Sequence, residues 1–245
     1  MQMNCTRADR HQNPDYIRGM FASIADRYDL ANHALSFGID YFWRRLAARM
    51  VAASSPKRIL DVATGSGDLA LAIKARCPDA EVTGADFCEP MLRHAQRKGV
   101  SPVVVADGTC LPFADGGFDV VTVAFGLRNM ASRENALREM ARVLRPGGMV
   151  VVMDFSMPVL PVMLPAYRWY LHHVLPKFAG WLTGKPEAYE YLGESIEAFP
   201  RHEEMLKLLA ACGFVGPKQV MLSFGIASIY SASVPEVASA PGCAY

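Results

Sequence analysis

Three carboxylates stand at the ends of three successive predicted strands. Ile59-Leu60-Asp61-Val62 runs into the loop Ala63-Thr64-Gly65-Ser66-Gly67-Asp68. Glu81-Val82-Thr83-Gly84-Ala85-Asp86 follows, and then Val103-Val104-Val105-Ala106-Asp107. Gly65, Asp86 and Asp107 succeed one another at equal intervals of 21 residues. In an open α/β sheet, ligands bind beyond the carboxyl ends of the strands. A carboxylate ending the second strand can accept both hydroxyls of a ribose. Asp107 can accept from an adenine amino group while the Gly108 N–H meets a ring nitrogen. Asp61 and Asp68 suit a cationic tail. S-adenosylmethionine combines these three parts, and the chemistry it implies is methyl transfer.

The loop Gly65-Ser66-Gly67-Asp68-Leu69-Ala70 also fits the dinucleotide fingerprint G-x-G-x-x-A, which is a weak signal alone. A pyrophosphate would have to sit at the following helix N-terminus, where Asp68 brings negative charge. A dehydrogenase would also need a substrate domain, and little chain is left for one. The sulfonium nucleoside carries no phosphate and is compatible with the acid. Phe87, Cys88 and Met91 are candidates to pack on the adenine, although each residue type is more often plain core.

The elements that must position these residues alternate. The pattern predicts strands over 57–62, 81–86, 102–107, 118–124 and 149–155, with helices over 68–76, 89–98 and 132–144. In the last helix Ala136, Met140, Val143 and Leu144 share one face. Arg145-Pro146-Gly147-Gly148 reads as its stop signal. Repeated strand–helix alternation argues for a doubly wound parallel sheet. Residues 16–53 read as two or three helices broken at Ser36-Phe37-Gly38. Residues 157–198 are apolar, aromatic and proline-punctuated, outside the alternating pattern. A helix over 202–212 precedes two strands, 217–223 and 225–232, too close together for a helical crossover. These form an antiparallel hairpin at one sheet edge. Residues 1–15 and the Pro/Ala/Ser/Gly tail 233–245 are expected to be disordered.

Composition narrows the function classes. The 245 residues carry 25 basic and 24 acidic side chains without a basic run, which argues against nucleic acid as a partner. A chain of this length buries roughly 70–75% of its unfolded surface, enough for a stable core. The six cysteines have no paired spacing, so neither a metal motif nor a disulfide framework is expected. The polar N-terminus and the lack of an uninterrupted apolar run of about 18 residues point to a cytoplasmic protein.

Longer motifs carry a resemblance. Tyr28-Asp29-Leu30-Ala31-Asn32 through Trp43 resembles the N-terminal signature of the ubiquinone/menaquinone biosynthesis C-methyltransferases. Arg142-Val143-Leu144-Arg145-Pro146-Gly147-Gly148, running on to Asp154-Phe155-Ser156, resembles their second signature. Leu111-Pro112-Phe113, Phe125-Gly126-Leu127-Arg128-Asn129 and Tyr189-Glu190-Tyr191-Leu192-Gly193-Glu194-Ser195-Ile196 are similar to segments of the same family. The likeness spans about residues 16–232. Ala31, Asp40, Ala124 and Asp154 depart from the family's usual methionine, histidine, serine and glutamate. Asp61-Val62-Ala63-Thr64-Gly65 and Phe224-Gly225-Ile226-Ala227-Ser228-Ile229-Tyr230 are more similar to the demethylmenaquinone branch than to the ubiquinone branch.

The resemblance implies a Rossmann-like class I adenosylmethionine methyltransferase: a seven-stranded, mostly parallel sheet with an antiparallel edge strand, N-terminal helices and a helical lid insertion. It implies cosubstrate contacts at Tyr28, Asp61, Gly65, Ser66, Gly67, Asp86, Phe87, Asp107, Gly108 and Ala124, with no metal. The acceptor it implies is a ring carbon of an isoprenoid quinol, demethylmenaquinol above all. Arg128 is placed to stabilise a phenolate, Asn129 to orient a hydroxyl, and Asp154 to manage its proton. The greasy segment 157–198, with Leu160, Met163, Leu164, Tyr167, Trp169, Tyr170, Val174, Leu175, Phe178 and Trp181, would form the acceptor pocket. It can serve equally as a lid, a homodimer contact or a peripheral membrane face, with Arg168, Lys177 and Lys185 near anionic headgroups. A ubiquinone precursor, O- or N-methylation of another small molecule, and a non-catalytic nucleoside sensor are the alternatives.

Overall fold

A computed structural model describes residues 17–20, 38–177, 180 and 184–236. The expectations for residues 1–15, the stretch Tyr28–Phe37, Phe178, Trp181 and the tail from 237 lie outside the described residues.

Seven strands, β1 (Arg58–Val62), β2 (Glu81–Asp86), β3 (Val103–Val105), β4 (Phe118–Ala124), β5 (Leu144–Phe155), β6 (Val215–Leu222) and β7 (Ala227–Ser233), form one sheet in the order β3-β2-β1-β4-β5-β7-β6. The first five run parallel, and β7 is antiparallel to both its neighbours. The expected hairpin forms the edge, with its second strand on the inside. The order reverses between β1 and β4, so the crevice for a ligand opens at the carboxyl ends of those two strands.

Alternate residues of each central strand face opposite layers, because side chains in a strand alternate. Leu60, Val121, Val123, Val150 and Val152 pack with α4 (Arg133–Val143) and α7 (Glu203–Ala211). Ile59, Val120, Val151 and Met153 face the other way, onto α1 (Ile39–Ala52), α2 (Asp68–Lys74) and α3 (Glu89–Lys98). Trp43, Ala47, Ala48 and Val51 form the buried stripe of α1 at helical spacing. Ser132 caps α4 by accepting the Asn135 N–H at 3.2 Å.

Two expectations need correction. Helix α4 ends at Val143, where the stop signal put it. The fifth strand, expected from residue 149, starts earlier and takes in Arg145-Pro146-Gly147-Gly148. β5 begins at Leu144, opposite Phe118, and the four residues form a bulge before pairing resumes at Met149. The Gly147 N–H donates to Val234 O at 3.1 Å and the Val234 N–H to Gly148 O at 2.9 Å. The chain therefore stays hydrogen-bonded past residue 233, where the tail was expected to begin. The second correction is β3, which stops at Val105. Asp107 turns the chain there by accepting the Thr109 N–H and hydroxyl, each at 2.8 Å.

The insertion is helical: α5 (Met163–Trp169), a π-helical turn over Tyr170–Val174, and α6 (Pro186–Glu197). It has its own small core around Met157, Leu171, Leu175, Ala188, Tyr189 and Ile196, packed against Phe155 at the end of β5. The apolar residues assigned to one pocket are thus divided. Leu171 and Leu175 are core, while Leu160 and Trp169 point to solvent.

Candidate active site

The crevice has two halves that share Ala63, Gly65, Ala124 and Phe125. One half is lined by Asp86, Phe87, Cys88, Met91, Ala106, Asp107, Gly108, Asn129, Met130 and Ala131. The other is lined by Arg44, Asp61, Thr64, Ser66, Asp68 and Leu69.

The two chains leaving β1 and β4 are both strained where they meet. Ala63 (φ 51°) and Phe125 (φ 56°) hold left-handed conformations unusual for residues with a Cβ. Such strain clusters at functional sites. Gly126 lets the two chains touch, since a Cβ there would lie 2.5 Å from the Ala63 Cβ. Gly65 (φ 56°) turns its N–H onto Asp86 Oδ2 at 2.8 Å.

Asp86 is buried, and its second oxygen accepts the Cys88 N–H at 2.8 Å. The Phe87 N–H bears on the carboxylate as well. With about four lone-pair sites in all, three backbone donors leave room for a ribose hydroxyl. Burial pushes the Asp86 carboxyl up to about 6 despite the backbone donors. Asp61 is fully enclosed. Its Oδ2 accepts the Thr64 hydroxyl at 2.7 Å, and its Oδ1 accepts the hydroxyl of Thr122, its cross-strand neighbour, at 2.5 Å. Burial raises it too, to about 6, partly offset by the two hydroxyls.

The remaining expected residues fall in three groups. Gly65, Asp86, Phe87, Asp107, Gly108, Ala124 and Asn129 line the first half, and Asp61 and Ser66 the second. Gly67 does not line either; it sits behind the loop, packed on Val100 and Ala95. Arg128 and Asp154 are also beneath the surface and not in the lining. Arg128 Nη1 donates to Asp154 Oδ1 at 2.6 Å and to Phe125 O, while the Arg128 backbone N–H reaches Asp154 Oδ2 at 3.2 Å. The pair anchors the loop that carries Phe125 and Asn129. Asn129 donates to Phe125 O at 3.3 Å and accepts the Tyr191 hydroxyl of α6 at 3.1 Å, so the insertion is tied to the crevice. Arg44, Thr64, Thr122 and Phe125 were missed. Arg44 could have been noticed only as the i+4 partner of Asp40.

Residues 9–233 match the sequence profile of the ubiE/COQ5 methyltransferase family. The chain belongs to this family. A demethylmenaquinone methyltransferase of Thermus thermophilus is 49% identical, the alignment covering 88% of this chain and all of that one. A ubiquinone/menaquinone biosynthesis C-methyltransferase of Bdellovibrio bacteriovorus is 42% identical over 91% of this chain and 97% of its own. A crystal structure of an adenosylmethionine-dependent methyltransferase from Thermotoga maritima shares the fold, with a TM-score of 0.65, 19% identity and coverage of 88% and 98%. Among the described residues no cluster of metal-ligating side chains occurs. No described helix is long and apolar enough to cross a membrane.

The two raised acids predict that ligand binding in this ubiE/COQ5 family member depends on pH. A folded pKa near 6, above the unfolded 3.8, means the folded apoprotein holds extra protons between those values. Its stability therefore falls as pH rises through that window. A cationic ligand favours the ionised acids. Adenosylmethionine affinity should rise about tenfold from pH 5 to pH 7, with proton release near pH 6. Calorimetry in buffers of different ionisation enthalpy measures both. A flat affinity across that range would remove the acids from the binding site.

Proposed function

We propose that this chain transfers the methyl group of S-adenosylmethionine to a ring carbon of reduced demethylmenaquinone. The observation that carries this is the 49% identity to a chain of that name, over the whole of that chain. The crevice fits the cosubstrate by its donor set: a buried Asp86 with room for a ribose hydroxyl, beside an enclosed acid at the other end.

Adenosylmethionine supplies an electrophilic methyl on sulfur. The chain supplies position and charge. Asp86 holds the ribose, Asp107 and Gly108 meet the adenine edge, Phe87 and Met91 flank it, and Gly65, Ser66 and Ala124 line the path to the tail. Asn129 faces the acceptor and orients a hydroxyl whose ionisation pushes charge onto the ring carbon. Tyr191, Arg128 and Asp154 act through Asn129 and Phe125 by fixing the loop. Alignment of carbon, methyl and sulfur supplies several kcal/mol of the barrier.

Ring nucleophilicity makes the redox state decisive. Under anaerobic conditions demethylmenaquinol should be methylated and oxidised demethylmenaquinone should not. Equal rates on both would sink the mechanism. The relatives named for both quinones support a second reading, a ubiquinone precursor as acceptor. A quinol of the ubiquinone series that lacks the ring methyl decides it in the same assay: exclusive methylation of that quinol would displace the first reading.

An isoprenoid-tailed acceptor resides in a bilayer, and the insertion offers a face for peripheral contact. Val159 (43% exposed) and Phe224 (68%) are neighbours, the Val159 N–H donating to Phe224 O at 3.2 Å, and Val162 (80%) follows three residues later. Val162→Glu with Phe224→Glu should slow methylation of a long-tailed quinol presented in vesicles several-fold and spare a soluble short-tailed analogue. Equal rates for parent and variant on vesicles would exclude this face.

A further inference from the structure

We propose that Arg44 recognises the carboxylate of the cosubstrate's amino-acid tail, in a subsite formed where α1 crosses the glycine loop. The proposal rests on the adenosylmethionine reading above and assigns a part of the ligand that no residue has yet accounted for.

The tail of adenosylmethionine is a zwitterion. Its ammonium suits Asp61 and Asp68, but its carboxylate enters the same half of the crevice and is repelled by both. A fixed cation is required nearby. Among the described residues lining either half, Arg44 is the one cation. Its side chain is only 10% accessible, so its charge acts in a medium of low effective dielectric.

The guanidinium is oriented from two sides. Nη1 is bound to Asp40, one turn earlier on α1 and itself buried. The guanidinium carbon lies 5.4 Å from the centroid of the Phe125 ring, within cation–π range. Nη2 is 3.9 Å from Asp68 Oδ2, too far for a hydrogen bond. Asp68 has its near partner elsewhere, in Lys98 Nζ at 2.7 Å. The Asp40 pair thus occupies one end of the fork and Phe125 one of its faces, leaving the Nη2 end for a carboxylate. A planar fork matches a carboxylate in two parallel hydrogen bonds, which an ammonium cannot do. Phe125 is also a strained residue that lines both halves, so the same side chain flanks Arg44 and borders both parts of the crevice.

Three ligands separate a carboxylate contact from a structural role. S-adenosylmethionine has the full tail, decarboxylated S-adenosylmethionine lacks only the carboxylate, and 5′-methylthioadenosine lacks the amino-acid portion altogether. Arg44→Gln would strand Asp40, so Asp40→Asn with Arg44→Gln, which removes both charges, is the variant for calorimetry. Arg44→Lys is the second. The parent should bind adenosylmethionine more tightly than its decarboxylated form. The double variant should lose about 10- to 100-fold in affinity for adenosylmethionine, change less than about twofold for methylthioadenosine, and no longer prefer the carboxylated form. Arg44→Lys should fall between. Equal losses for all three ligands, or none for any, would overturn the assignment. Failure of the parent itself to bind any of the three would instead overturn the adenosylmethionine reading beneath it.

Discussion

Arg128→Ala should melt well below the parent and lose most of its turnover. Arg128 is 7% exposed and Asp154 is wholly enclosed. Removing one partner of a buried pair leaves an uncompensated charge, at a cost of about 3–5 kcal/mol. For a chain of this size that corresponds to a fall in Tm of roughly 6–20 °C. The same substitution leaves Phe125 O with only the longer Asn129 bond and uncovers the Phe155 ring, over which the guanidinium lies at 5.4 Å. The loop bearing Asn129 should then drift, and a displacement of about 1 Å at a reacting centre costs on the order of 100-fold. Adenosylmethionine affinity should change little at low temperature, where the variant is folded. Arg128→Met with Asp154→Leu removes both charges and should recover much of the stability without the turnover, because the Asn129 loop keeps neither anchor. The proposal of a positioning pair fails if Arg128→Ala has parental Tm and a 100-fold loss of turnover. That result would make Arg128 the cation that acts on the phenolate directly.

How much of this site was legible depends on whether its cause was local. Asp61, Asp86 and Asp107 could be found because each lies at or near the end of an apolar run, Asp61 just before the glycine loop and the other two at a spacing typical of βαβ units. Gly65 and Gly126 stand in motifs for backbone reasons that residue type alone announces. The bonds that tune the site are another matter. Thr122 lies 61 residues from the carboxylate it donates to, and only the β1–β4 register brings them together. Arg128 and Asp154 are 26 residues apart in sequence. Their charges suggest catalysis from sequence alone, and only packing shows them to be paired below the crevice. Arg145-Pro146-Gly147-Gly148 reads locally as a stop, and the helix does end there, but only pairing with Val234 shows that it is also a strand bulge. The insertion's helices were not resolved by periodicity because their apolar residues serve two surfaces. One half of these packs on Phe155 and the other faces out, which blurs a single amphipathic stripe.

Asp86→Ala should weaken adenosylmethionine binding by about 10- to 100-fold with little change in Tm. The two effects have separate causes. The ribose hydroxyls lose a charged acceptor whose two oxygens are held by Gly65 and Cys88, and hydrogen bonds to charged groups are worth roughly 1.5–3 kcal/mol net. Stability is nearly neutral because the carboxyl, raised to about 6 by burial, is ionised at pH 7 against its environment. Removing it relieves that desolvation while stranding the backbone N–H donors of Gly65, Phe87 and Cys88, which border an open crevice and can reach water. The two terms oppose each other, and Tm should stay within about 4 °C. At pH 5, where the parent carboxyl is largely protonated, the affinity gap between parent and variant should narrow. Binding of methylthioadenosine should fall as much as that of adenosylmethionine, because both carry the ribose. Calorimetry at pH 5 and pH 7 with both ligands reads all of this. An affinity loss confined to adenosylmethionine would move Asp86 from the ribose to the tail, and unchanged affinity in a folded variant would remove it from the site.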